Sequence, residues 1–321
     1  MAEKVVCVIG CSGFVGSHVT AALLARGVSV RGTLRDASSA KAGWLQERVG
    51  AKATGGARLT LHSAHMRDAE AVSAALEGSE AVFFCAGTER QEPETIEVMM
   101  GGARTALRAA RDGGVGVAVF TSSTGSTNPP GPEPRPKREE EHWSDPMQQI
   151  AAGKYSPAAK TLMEAVALRA MEESEGALRV CILNPSLILG PAFQPELPSS
   201  LRFLRQILTG EKMAERVPRG SMSIIDARDL AELHVRAFER PEARGRYFAV
   251  KRSWSWRDIL TALEQVCPEY TMPDTPPPEE PVRPTQFDLS RQRALGVTPR
   301  DLPAILEGAV QELRSRGLLG G

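Results

Sequence analysis

Two polar residues late in the first half of the chain, Tyr155 and Lys160, together with the hydroxyls of the run Thr121-Ser122-Ser123-Thr124, have the chemistry of hydride exchange at a carbonyl. A phenol gives a proton to a carbonyl oxygen as it becomes an alkoxide. An ammonium group lowers the phenol's pKa and holds a nicotinamide ribose, while a serine hydroxyl polarises the same oxygen. Such a set needs a redox partner, and the N-terminal stretch provides a place for one. Gly10, Gly13 and Gly16 follow the apolar run Val5–Ile9 and precede a helical pattern with Val15, Val19, Ala22 and Leu23 on one face. Strand, glycine turn and helix present free backbone N–H groups and a helix dipole to a pyrophosphate. Gly10, Ser12, Gly13, Phe14, Val15 and Gly16 are therefore candidate cofactor residues.

These residues need a scaffold that brings them to one edge. Apolar runs at Val28–Leu34, Leu59–Ala64, Ala81–Gly87, Val115–Phe120 and Val180–Leu183 read as further strands, alternating with helical patterns such as Val98–Arg111 and Pro157–Glu173. The alternation predicts right-handed βαβ units: an α/β fold of Rossmann type, with a doubly wound parallel sheet. In such sheets ligands bind beyond the carboxyl ends of the strands. That rule gathers the glycine loop, Arg35, Ala86-Gly87-Thr88, Thr121–Thr124 and Asn184–Leu187 on one rim. Small residues at Ala86–Thr88 let a cofactor ring approach the backbone. Arg35 at the tip of the second strand, with Lys41 beyond, favours the 2′-phosphate of NADP, with NAD as the alternative; Asp36 beside it is the residue type that reads an NAD ribose.

Beyond Gly190-Pro191 the regular alternation ends. Residues 1–184 are expected to form the dinucleotide-binding domain, with segments near 221–250 returning to it, and 185–321 a smaller substrate-binding lobe. The proline- and charge-rich stretch 128–141 reads as a surface loop, and 273–284 as extended and irregular. Thirty-nine basic residues balance 39 acidic ones, which gives no electrostatic case for nucleic acid or a membrane surface. No apolar run is long enough to span a bilayer, and the first strand begins too early to leave room for a leader. The five cysteines lack metal spacing and fall largely in apolar runs, so they are expected to be reduced, and the protein cytoplasmic, with no metal.

The sequence resembles the extended short-chain dehydrogenase/reductases of the NAD-dependent epimerase/dehydratase superfamily, especially the dihydroflavonol reductase and cinnamoyl-CoA reductase branch. The likeness rests on Gly10-x-x-Gly13-x-x-Gly16, Thr33-Leu34-Arg35-Asp36, Phe120-Thr121-Ser122-Ser123, Lys160-Thr161-Leu162-Met163-Glu164, Pro185–Pro191 and the C-terminal Gly308–Leu319, and so spans nearly the whole chain. It implies Ser123, Tyr155 and Lys160 as the catalytic set and Arg35 as the reader of the 2′-phosphate. Thr121 and Ser122 would lie at the cofactor, Pro185, Ser186 and Leu187 along the nicotinamide carboxamide, and His65 and Met66 at the adenine. His65 stands where the family places an acidic residue. The family also spaces its tyrosine and lysine four apart; here they are five apart, with Ser156 at the tyrosine's place. Four residues on a helix leave side chains about 40° apart and five about 140°. Ser156-Pro157 reads as an N-cap followed by a first-position proline, so that Tyr155 precedes the helix, or a bulge in the first turn restores the alignment. The alternative is a Tyr155 that only packs against the helix start.

The substrate pocket is expected between the Ser123 rim, the loop 128–141 and residues 193–213, with Thr88, Ser123, Phe193, Leu197, Leu201, Leu204 and Met222 as candidates. Its apolar character favours a hydrophobic ketone, aldehyde or thioester over a nucleotide sugar. The expected protein is an NADP(H)-dependent oxidoreductase, a monomer or homodimer whose partner is that small molecule. The alternatives are a nucleotide-sugar epimerase or dehydratase with retained NAD and a catalytically impaired NADP-binding regulator.

Overall fold

The computed structural model describes residues 4–88, 90–275 and 282–319. Its strands are β1 (Val5–Ile9), β2 (Ser29–Leu34), β3 (Leu59–Ser63), β4 (Ala81–Phe84), β5 (Val117–Thr121), β6 (Arg179–Pro185), β7 (Leu187–Leu189), β8 (Ser221–Asp226), β9 (Gly245–Ala249) and β10 (Arg252–Ser255). Seven of them form a sheet in the order β3-β2-β1-β4-β5-β6-β9, every neighbouring pair parallel.

The strands are apolar on both sides because both faces of this sheet are covered. Val6, Val8, Phe83, Val119 and Leu183 enter one core with the helices Phe14–Leu24 and Ala227–Glu239. Their neighbours Cys7, Ile9, Phe84, Phe120 and Ile182 enter a second core with Glu94–Asp112 and Tyr155–Glu173. This period of two explains the unbroken apolar runs. Each large side chain so buried contributes about 2 kcal/mol to the fold. The order of strands reverses between β1 and β4, which opens a crevice at their carboxyl ends.

A smaller lobe holds β7 parallel to β8 and β8 antiparallel to β10. The helices Ser199–Leu208, Trp256–Val266 and Leu302–Ser315 close a third core around Leu201, Leu204, Trp254, Leu260 and Ile305. The chain's return to the large sheet is narrower than expected. Within 221–250 it is made by the helix Ala227–Glu239 and β9, whereas β8 pairs within the small sheet; Leu295 and Val297 join the same core from later in the chain. Asp226 makes the crossing, ending β8 and capping the helix by accepting from the Arg228 N–H at 2.8 Å.

The loop 128–141 also departs from a simple surface segment. Lys137 and Glu139 are buried, and Lys137 exchanges backbone hydrogen bonds with Gln286 and Asp288. Of the proline-rich 273–284, residues 276–281 lie outside those described.

One correction bears directly on the site. The long helix begins at Tyr155, not at Pro157, and is regular from its first turn, with the Ala158 N–H donating to the Lys154 carbonyl at 3.1 Å. Pro157 fits at the third position because the first four N–H groups of a helix have no partner within it, so a missing one costs nothing there. Ser156 is thus inside the helix and not its cap.

Candidate active site

The carboxyl ends of the central strands, the first turn of the helix Tyr155–Glu173 and the loop after β7 enclose a cleft of about 1060 Å³. The glycine loop forms one end. Gly10 has φ +83°, and a Cβ there would lie 2.8 Å from Ala86 Cα; a Cβ at Gly16 would run into the Gly10 carbonyl oxygen. Both positions require glycine. Gly13 precedes the helix Phe14–Leu24 in extended conformation, and no side chain caps that helix. Its first amides are therefore available to an anion, and the loop fits a dinucleotide pyrophosphate.

Ser12, Gly13, Phe14 and Val15 line the cleft, with Gly10 and Gly16 shaping the loop from behind. Lys41 lines it too, beside Ser39, Ala40 and Trp44. Arg35, at the end of β2, is exposed and is not among the lining residues of the cleft. Next to it, Asp36 accepts from the Ser38 hydroxyl and N–H, bonds that hold its carboxyl below the usual range and keep it in a local turn. His65 and Met66 also fall outside the cleft. His65 accepts from the Arg67 N–H, and Met66 packs onto Gly102.

The wall continues from Ala86 and Gly87, beside Gly10, to Thr88, Thr121, Ser122, Ser123, Lys160, Pro185, Ser186 and Leu187. The Lys160 Nζ donates to the Thr121 carbonyl at 2.7 Å. The Ser123 Oγ accepts from the Gly125 N–H at 3.0 Å, which leaves its own proton to point elsewhere. Tyr155 is not part of the lining; Ser156, four residues before Lys160, is, and its hydroxyl donates to the Thr88 carbonyl at 3.3 Å. A continuous helix carries a five-residue spacing to a different face. Ser123 and Lys160 both line the cleft, and the half-buried Tyr155 at the start of the helix does not.

Four substrate candidates and the loop 128–141 are not among the lining residues. Leu201 and Leu204 are buried in the core of the small lobe, Met222 packs against that core, and the half-buried Phe193 packs on His18 with ring centroids 4.8 Å apart. Leu197 does line the cleft, and with Ile188 and Phe203 it supplies the apolar wall.

Behind the polar end lie groups that pattern reading missed. Glu164, one turn after Lys160 on the same helix, is buried. It accepts from Ser122 Oγ, from Ser126 Oγ at 2.5 Å and from Asn184 Nδ2 at 2.6 Å, and pairs with the buried Arg246 at 2.7 Å. Asn184 Nδ2 also donates to the Ser123 carbonyl at 3.0 Å. The network fixes the turn that carries Ser123. Its one sequence signal is the spacing of Glu164 from Lys160.

His234 lies behind Thr121, with Nε2 2.7 Å from the Thr121 hydroxyl and Nδ1 2.8 Å from the Leu230 carbonyl. A carbonyl only accepts, so Nδ1 carries the proton and the threonine donates to Nε2. Burial pushes the imidazole down from 6.5 to about 4, the Leu230 bond opposing and the Lys160 charge adding to the fall. An unfolded imidazole takes up its proton near pH 6.5, whereas the folded one stays neutral until about pH 4. Stability is therefore lost as pH falls through this window, by up to roughly 3 kcal/mol from this one group. Urea titrations from pH 7 to 4.5 should show the wild type losing more stability than His234→Gln; parallel losses would remove His234 from the explanation.

Residues 6–250 match the family model described as "NAD dependent epimerase/dehydratase family". The chain belongs to that family. Among curated relatives, cinnamoyl-CoA reductase 1 of Oryza sativa subsp. japonica is 33% identical over 99% of this chain and 92% of its own. Dihydroflavonol 4-reductase of Callistephus chinensis is 30% identical over 98% and 87%. Among solved structures, the yeast methylglyoxal/isovaleraldehyde reductase Gre2 complexed with NADPH superposes with a TM-score of 0.82 at 20% identity, covering 98% of this chain and 100% of that one. The family member described here thus falls in the reductase branch on sequence, and its doubly wound fold is that of the solved reductase.

Proposed function

We propose that the protein is an NADPH-dependent reductase of a hydrophobic carbonyl compound (ketone, aldehyde or thioester). The observation that carries this reading is a single cleft with the glycine loop at one end and Lys160 and Ser123 at the other. The near full-length likeness to cinnamoyl-CoA reductase supports the reaction class.

The glycine loop and first helix would hold the pyrophosphate, Lys41 and Ser39 the adenosine end, and Pro185–Leu187 the nicotinamide end. When bound, the nicotinamide supplies the hydride. Lys160, anchored on the Thr121 carbonyl, presents its charge at the polar end of the cleft and favours negative charge developing on the substrate oxygen. Ser123 polarises that oxygen. Among the hydroxyls that line the cleft, Ser123 and Ser156 would give the proton. Ile188, Leu197 and Phe203 exclude water around an apolar substrate. Among the described lining residues the cations are Lys41 and Lys160, with no arginine, which leaves little to hold the second diphosphate of a nucleotide sugar.

Among the described residues no helix is long and apolar enough to cross a membrane, and the five cysteines are free thiols, in keeping with work in the cytoplasm. One chain carries the whole cleft, so a monomer or a homodimer would serve.

NADPH consumption with a panel of aromatic and aliphatic aldehydes, ketones and thioesters tests the reading. Turnover supports it; NAD that co-purifies and is never consumed would overturn it in favour of an epimerase. The position of Lys41 gives a second expectation. Lys41→Ala should raise the KM for NADPH about tenfold with little change for NADH, whereas Arg35→Ala should shift it much less. The reverse order would return the 2′-phosphate to Arg35.

A further inference from the structure

Between β7 and the helix Ser199–Leu208, five successive carbonyls are each held by a side chain from another part of the fold. His18 donates to Pro191 at 2.9 Å and Arg48 to Phe193 at 3.1 Å. Arg316, near the end of the described chain, donates to Ala192, Gln194 and Pro195 at 3.2, 2.7 and 2.8 Å. Arg316 is itself paired with Glu312 at 2.6 Å. A stretch with five successive carbonyls fixed has little freedom, and among the side chains it presents to the cleft is Gln194.

That side chain reaches the glycine loop. Its Nε2 lies 2.8 Å from the Gly13 carbonyl, 3.3 Å from the Ser12 carbonyl and 2.8 Å from Ser17 Oγ. Two of these partners can only accept, so the amide orientation is unambiguous: nitrogen toward the loop. The other atom of the amide, Oε1, is buried and has no hydrogen-bond partner. A buried acceptor without a donor is destabilising.

We propose that Gln194 is a positioning residue for the dinucleotide. Its amide nitrogen locks the Ser12 and Gly13 carbonyls, and with them the turn that would hold the pyrophosphate. Peptide planarity gives the lock its effect: fixing the Gly13 carbonyl fixes the Phe14 N–H on the opposite edge of the same peptide, where the anion is held. The same contact docks the small lobe on the large one, so cofactor binding and lobe docking reinforce each other. The inference rests on the dinucleotide reading of the cleft.

The test is NADPH affinity, followed by the change in cofactor fluorescence on titration, together with the thermal midpoint of the unliganded protein. Gln194→Met keeps the size and removes both polar atoms; Gln194→Glu keeps an acceptor and sets a negative charge against the two carbonyls. Both should raise the Kd for NADPH about tenfold or more, Glu more than Met, with the KM for NADPH rising in parallel and kcat at saturation nearly unchanged. Should either variant fold poorly, Arg316→Met releases the loop carbonyls while leaving Gln194 in place, and should weaken NADPH in the same direction. NADPH bound by the wild type and by the folded variants with equal affinity would overturn the proposal, even if the thermal midpoint dropped. A wild type that binds no NADPH would overturn the dinucleotide reading and the proposal with it.

Discussion

Lys160→Met lowers kcat/KM for carbonyl reduction by about 10²–10⁴-fold, whereas Tyr155→Phe lowers it by no more than about threefold. The lysine is one of two cations in the described cleft wall, and its Nζ is tied to the Thr121 carbonyl at 2.7 Å. Thr121 is in turn held by the neutral His234, so the charge sits on a braced strand end. It is also close to where a nicotinamide ring would approach: a Cβ built on Gly87 would lie 3.6 Å from Nζ. Removing the cation leaves a developing alkoxide to be stabilised by hydroxyls alone. Methionine keeps the methylene stem and its packing, so loss of fold is not the expected cause. Steady-state NADPH oxidation, with NADPH affinity measured on the same variant, separates the chemical contribution from the binding one. Tyr155→Phe is the decisive companion. A large loss on removing that one hydroxyl would make Tyr155 the proton donor and require its helix to start differently from the geometry described. Ser156→Ala and Ser123→Ala should then show which hydroxyl carries the proton, the larger fall in kcat marking the donor.

The sequence made the large sheet legible because each central strand is buried on both faces, so its apolar run stands without interruption. It made the glycine loop legible because three glycines at fixed spacing between strand and helix have few other uses. Long-range facts were out of reach. Pro157 is as compatible with the third position of a helix as with the first, so the chain pattern alone does not choose where Tyr155 lies. Leu201 is an apolar residue of the small lobe, and hydrophobicity does not tell a core position from a cleft wall. Arg35 and Lys41 are both cations near the second strand; only the path of the short helix Ala40–Trp44 brings Lys41 to the cleft wall. Glu164 and Arg246 are 82 positions apart, and a buried ion pair at that separation has no periodic signature.

That pair carries the largest expected effect on stability. Arg246 is 2% exposed and Glu164 is fully buried, the guanidinium lying 3.7 Å above the Trp143 ring centroid. Arg246 also donates to the carbonyls of Glu139, His142 and Ser126, so it ties the 139–143 loop to the turn behind Ser123. Glu164→Leu alone leaves a buried cation without its counter-charge and strips Ser122, Ser126 and Asn184 of their shared acceptor. The expected loss is about 3–5 kcal/mol of unfolding free energy. Arg246→Met alone strands the carboxylate and should cost a similar amount. The double variant Glu164→Leu/Arg246→Met removes both charges together and should recover part of that loss, since a buried pair offsets much of its attraction with its own desolvation. Activity should not recover with stability. The double variant still lacks the carboxylate that positions Ser122 and, through Asn184 and Ser126, the Ser123 turn, so kcat stays low while NADPH affinity, set at the other end of the cleft, is kept. Urea unfolding of the four proteins gives the coupling, and kinetics on the same samples gives the split. Additive losses in stability would deny the pair its coupling, and full activity in a restabilised double variant would show that the network holds the fold without holding the site.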